Sequence, residues 1–305
     1  DGAGSASREA SIRAGGAEAR RPGRDLVSSG TVETEEASWR RRRCGAFRLV
    51  PLGPALAAVA GLVFACAGSA PHTISWPGGG APAAAHGERI RSWPQAVSSV
   101  AETMRGPLGL PLTGFSVHFF EGRQALERGL VEAGSAPDIA RRAAATFDAV
   151  GRPDGVYVNE RRLARSGWTT RVAILAHELG HVLQYELVGG RRSASDQWLR
   201  EGFSEWISFR VLDRLRLASE GRRRGDARRA VALGGEAGLP SLTELATWDA
   251  WVRFQAERPA RPLYPYAYLA VDLLVERHGV DAVLGYFRSF TASNDAEGLF
   301  RAAFG

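Results

Sequence analysis

A run of apolar residues at helical spacing, Thr169 to Leu187, is closed by Gly189-Gly190 and carries two histidines and a glutamate: Ala173-Ile-Leu-Ala-His177-Glu178-Leu-Gly-His181-Val-Leu. The glycine pair stops the helix. Residues four apart lie on one helix face about one turn from each other. His177 and His181 can therefore converge on one metal ion. Glu178 points about 100° round the helix, near enough to reach a water beside the ion and too far round to act as a ligand. A His-Glu-x-x-His pattern arises by chance in a chain of this size roughly 1% of the time. The bland alternative is a pair of histidines satisfied by hydrogen bonds on a core helix.

A catalytic zinc takes three protein ligands and keeps one position open. Downstream stands Trp198-Leu-Arg-Glu201-Gly-Phe-Ser-Glu205-Trp206, within a helical pattern from about Gln197 to Leu217 with Ser195 or Asp196 as its cap. Nineteen residues separate His181 from Glu201, enough for a loop and a returning helix that brings a carboxylate beside the imidazoles. A metzincin pattern would need Gly at position 184 and His at 187, where the chain has Gln184 and Leu187.

His177-Glu-Leu-Gly-His181 followed by Trp198-Leu-Arg-Glu201-Gly-Phe resembles the gluzincin metallopeptidases, the clan that includes thermolysin and the aminopeptidase N group. The likeness is greatest to small bacterial peptidase-MA-like domains, and it spans roughly residues 115–305. It implies a zincin-like fold of the thermolysin type and one Zn2+ held by His177, His181 and Glu201. Glu178 would be the general base, acting on a peptide or protein substrate. The loop is one residue longer than the usual aminopeptidase spacing. The aminopeptidase Gly-x-Met-x-Asn motif is absent, the only Met being Met104, so recognition of a substrate amino terminus is unsupported.

In similar enzymes a carboxylate one turn after the third ligand bonds the outer nitrogen of a ligating imidazole, a role that falls here to Glu205. Such domains also set a tyrosine before a Leu-x-x-x-x-Gly helix, here Leu274 to Gly279, as a donor to the developing oxyanion. Within Tyr264-Pro-Tyr266-Ala-Tyr268, Tyr264 is the first candidate and Tyr266 the second; aromatic packing accounts for the others. Gly155 to Asn159 is a candidate edge strand for pairing with an extended substrate. The same residues also suit a zinc hydrolase of a non-peptide amide or ester, or a non-catalytic, zinc-stabilised module that binds peptides.

Strand patterns come early, at Gly114–Phe120 and Gly155–Asn159, and helical ones late. Helices are expected over Gln95–Met104, Ala136–Val150 and, with breaks near Pro259–Pro265 and at Gly279, from Ser241 to the C-terminus. This is an α+β chain, a small N-terminal mixed β-sheet followed by a mostly helical part. The folded domain is expected over 96–305, after a Gly/Pro/Ala-rich linker at 71–95. The Arg222-Arg-Arg224 and Arg228-Arg229 runs, interspersed with Glu220 and Asp226, read as a solvated helix end and loop.

Arg40-Arg41-Arg42-Arg43 precedes an uncharged stretch, Leu49–Ala70, that ends in small residues. Residues 40–70 have the three-part pattern of a signal peptide, and 49–70 is also long enough for a membrane anchor. Either places the domain beyond the cytoplasmic membrane, exported or tethered. Val63-Phe-Ala-Cys66 faintly resembles a lipidation box. The first 39 residues lack large apolar groups, which predicts a disordered tail; part of it is compatible with a translation artefact. The formal charge is +6, and all 39 basic residues are Arg. Residues 1–48 hold 10 Arg against 7 acids, leaving a net +3 over the other 257. That is a weak field for a polyanion, so no nucleic-acid partner is expected.

Overall fold

The computed structural model describes residues 71–78, 90–235, 238–257 and 262–305. The tail, the Arg cluster and the Leu49–Ala70 segment expected as signal or anchor lie outside them. No helix among the described residues is long and apolar enough to cross a membrane.

The fold is α+β and mostly helical, with one small mixed sheet. Strand β1 (His72–Trp76) is followed by helix α1 (Trp93–Arg105), β2 (Phe115–Phe120), α2 (Arg123–Glu132), α3 (Pro137–Thr146) and the hairpin β3 (Ala149–Arg152)–β4 (Gly155–Asn159). Helices then take over: α4 (Glu160–Leu163), α5 (Trp168–Leu187), α6 (Gln197–Arg214), α7 (Glu220–Gly235), α8 (Trp248–Glu257), α9 (Leu263–His278), α10 (Val280–Ser289) and α11 (Ala296–Phe304).

The strand order is β1-β2-β4-β3. β1 and β2 run antiparallel with Ile74 opposite Val117, β2 and β4 parallel with Val117 opposite Val156, and β4 and β3 antiparallel with Tyr157 opposite Val150. Alternation sorts the side chains to the two faces. Val117, Phe119, Val156 and Val158 join the main core with α1, α5 and α6. Phe120 and Tyr157 face the other way, onto Leu126 and Leu130 of α2 and Ala140 and Ala144 of α3.

Four expectations need correction. Residues 72–76, expected within the linker, form an edge strand, because His-Thr-Ile-Ser-Trp supplies β-branched and aromatic groups inside a stretch whose overall composition reads as linker. Helix α3 ends at Thr146 rather than at Val150. Val150 enters β3, since Pro153-Asp154-Gly155 turns the chain back and Gly155, at φ 146°, packs against the Ser116 carbonyl. That places β3 at the sheet edge and makes β4, expected as the edge, an interior strand. Finally, α7 is one continuous helix through the Arg-rich run, with Arg224 paired to Asp272 of α9 at 2.9 Å.

Two glycines set how closely the large helices approach. A Cβ at Gly180 of α5 would meet Ser204 Oγ at 2.8 Å and its Cα at 3.0 Å. At Gly202 of α6 it would collide with the Ala267 carbonyl of α9. Ala is worth up to about 1 kcal/mol over Gly inside a helix, whereas overpacking costs about 1–3 kcal/mol. The clash at Gly202 is with backbone, so it wins. Gly202→Ala is expected to lower the urea midpoint with an unchanged m-value, while Gly225→Ala in α7, where the nearest atom is a flexible Arg229 nitrogen at 3.5 Å, should raise it.

Candidate metal centre

Helix α5 buries Val172, Leu175, Ala176, Leu179, Val182 and Leu183, and turns His177, Glu178 and His181 to a half-buried face. Gly189 and Gly190, at φ 71° and 81°, end it, and the Gly190 N–H donates to the Tyr185 carbonyl at 2.8 Å. The loop returns the chain as α6, which crosses α5 at Gly180 and Ser204 and faces Glu201 to both histidines.

His177 Nε2 lies 3.2 Å from Glu201 Oε2 and 3.2 Å from His181 Nε2, and His181 Nε2 lies 3.6 Å from Glu201 Oε2. The rings of His177 and His181 meet edge to face, with centroids 4.9 Å apart. One ligand atom from each of the three residues falls within 4.8 Å of the others, so the group could hold a metal ion. Both imidazoles are 13% exposed and the carboxylate 5%, so the histidines are the more accessible members of the group.

Neighbours orient these groups. Gln184, fully buried, donates from Nε2 to the Arg200 carbonyl at 2.8 Å and to Ser204 Oγ at 3.3 Å. Its Oε1 is then left to accept from His181 Nδ1–H at 3.2 Å, with Ser204 Oγ also 3.2 Å from that nitrogen. With its proton held on Nδ1, His181 would have Nε2 free to ligate a metal ion. Glu178 Oε2 accepts a 2.6 Å hydrogen bond from the Gly151 N–H of edge strand β3. A Cβ at Gly151 would meet the Glu178 carbonyl at 2.5 Å and His181 Cβ at 2.9 Å, so only glycine lets β3 lie this close to α5.

Charge differentiates the groups. Burial lowers the His177 pKa, but the hydrogen bond to Glu201 and the charges of Glu205, Glu178 and Glu201 lift it to about 9. Burial pushes Glu201 up, yet the His181 charge and the hydrogen bond with His177 hold it well below the usual carboxylate range. Glu178 and Glu205 are raised by burial, with His177 pulling each back in part.

The tyrosines separate. Both stand in the first turn of α9, two residues and about 200° apart. Tyr264 faces the centre, its ring edge to face with His177 at 5.9 Å and with Trp251 at 5.2 Å. Burial, reinforced by the Glu201 charge, raises its phenol, so it stays a proton donor at neutral pH. Both rings pack against the hydrophobic core, but among the described residues Tyr266 makes no ring contact with the histidines. Glu205 acts on His177 through its charge; among the described residues no hydrogen bond joins the two, and the outer imidazole nitrogen that is held belongs to His181. Gln184 and Ser204 were missed in the sequence. Their signal was a polar side chain three residues after His181 in an apolar run, and another three after Glu201.

Without a cation, His177 carries a proton at pH 7, and a metal ion must displace it. Apparent metal affinity is therefore expected to fall about tenfold per pH unit as pH drops below the His177 value. Binding at pH 7 should release about one proton. Calorimetry in buffers of different ionisation enthalpy measures that release; none at pH 7 would contradict the charge state described.

Compared with known proteins, the chain matches no family model, no curated protein and no solved structure.

Proposed function

We propose that the protein is a zinc-dependent hydrolase, a peptidase of the gluzincin type, with His177, His181 and Glu201 as ligands of one Zn2+. The observation that carries the reading is the spacing of the three donor atoms, 3.2, 3.2 and 3.6 Å. A tetrahedral ion with bonds of about 2.0–2.1 Å has ligand atoms about 3.3–3.4 Å apart. Two neutral nitrogens with one carboxylate oxygen also suit zinc better than calcium or magnesium, which take oxygen ligands.

When bound, zinc polarises a substrate carbonyl and lowers the pKa of water. The chain's own residues supply the rest. Glu178 is placed to take the proton from the attacking water and pass it to the leaving amine. Its Oε2 is anchored on Gly151 N–H, and a raised pKa suits a group that must both accept and release a proton. Tyr264, kept protonated, donates to the carbonyl oxygen as charge develops on it. Edge strand β3, which lies beside Glu178, is the strand that would pair with an extended peptide. The Arg40–Arg43 cluster and the apolar 49–70 segment support a place outside the cytoplasmic membrane, exported or tethered.

The test uses the full chain and a quenched-fluorescence peptide library. Chelation should abolish cleavage, and stoichiometric zinc should restore it. Glu178→Gln is expected to lose about 10²–10⁴-fold in kcat with zinc content unchanged, whereas Glu201→Ala should lose the metal. Tyr264→Phe should cost about 10²–10³-fold in kcat, and Tyr266→Phe little. Undiminished cleavage by Glu178→Gln would sink the mechanism.

A further inference from the structure

The two oxygens of Glu201 have different neighbours. Oε2 faces the histidines, while Oε1 accepts a 2.6 Å hydrogen bond from Gln197 Nε2. Gln197 stands one turn earlier on α6 and is 3% exposed. Its own Oε1 accepts a 2.6 Å hydrogen bond from Arg192 Nη2, and the Arg192 guanidinium lies over the Trp248 ring, 5.5 Å from its centroid. A relay thus runs from Trp248 at the start of α8, through Arg192 and Gln197, to the carboxylate.

We propose that Gln197, oriented by Arg192, is the positioning residue that makes Glu201 a one-oxygen ligand; the inference rests on the zinc reading above. Guanidinium has donors and no acceptor, so it can hold only the oxygen end of the Gln197 amide. The NH2 end must then face Glu201. A carboxylate with both oxygens free can swing to bind an ion through both, which fills an extra coordination position. With Oε1 occupied by a donor that is itself held, only Oε2 is presented and the open position of a catalytic site is kept. The backbone has a separate role: Gln197 N–H donates to the Ala246 carbonyl at 2.8 Å and anchors the start of α6. Side-chain substitution leaves that bond in place, so the two roles can be separated.

The experiment measures the zinc dissociation constant of the full chain by chelator competition, and the visible spectrum of the cobalt(II)-loaded protein. Gln197→Leu is expected to weaken zinc binding about 10–100-fold, and to replace intense four-coordinate cobalt bands with the weak bands of higher coordination. Arg192 is exposed, so Arg192→Ala tests the relay with little risk to folding. It should show a smaller loss in the same direction, and Arg192→Lys should recover part of it. Wild-type affinity and an unchanged cobalt spectrum in both Gln197→Leu and Arg192→Ala would overturn the inference while leaving the zinc reading intact, even if the melting temperature falls. A wild-type chain that takes up no zinc would overturn both.

Discussion

The close approach of α5 and α6 at Gly180 and Ser204 is the contact on which the centre depends. Donor atoms 3.2–3.6 Å apart tolerate little movement of the helices that carry them. Because position 180 lacks a side chain, Ser204 Oγ reaches His181 Nδ1 and the Gln184 amide spans the interface to the Arg200 carbonyl. A buried amide and hydroxyl would each cost free energy if left unpaired; across this seam they pair with one another and with the imidazole. The bonds that stabilise the helix pair and those that fix the His181 tautomer are therefore the same bonds.

The sheet meets this helix pair at a second glycine. Edge strand β3 lies against α5 because Gly151 presents only a backbone N–H to Glu178. One hydrogen bond thereby links the carboxylate proposed as base to the strand proposed to receive a peptide. The hairpin that puts β3 at the edge depends on Pro153-Asp154-Gly155, and its inward side is held by Val156 and Val158 in the main core. A shift of β3 along the sheet would move Gly151 off Glu178 and bring Val150 or Arg152 towards the helix. The register of a short strand pair is in this way tied to the chemistry of the site.

The helical half of the fold was legible in the sequence because long apolar periods and glycine stops act locally. The stop at Gly189-Gly190, the α6 span and the break at Gly279 all follow from residues close in the chain. The three-residue donor set was legible for a related reason: helix spacing fixes His177 against His181, and only Glu201 had to be brought from elsewhere. Short strands were harder to read. His72–Trp76 sits in a composition typical of linkers and becomes a strand only by pairing with β2, a long-range event. Val150 continues an apparent helix until the Pro-Asp-Gly turn is given its full weight. Gln184, Ser204, Gln197 and Arg192 could not be assigned from spacing alone, since each acts across the α5–α6 seam or the loop between the helices.

Three carboxylates stand around two imidazoles, and burial treats them unequally. Glu201 bonds His177 at Oε2 and accepts from Gln197 at Oε1, and the imidazole charges outweigh desolvation and keep it ionised. Glu178 has the Gly151 amide and the histidine charges, and burial still prevails, so its proton affinity rises. Glu205 is raised in the same sense and contributes mainly field, helping to lift His177. A ligand must stay charged, whereas a base must accept a proton near neutral pH and give it back. Under the proposed function, the imidazole charges and donors gathered at Glu201, against burial prevailing at Glu178, would separate those duties. Adding a cation deepens the separation, since its charge lowers every carboxylate nearby but is felt most by the one in direct contact.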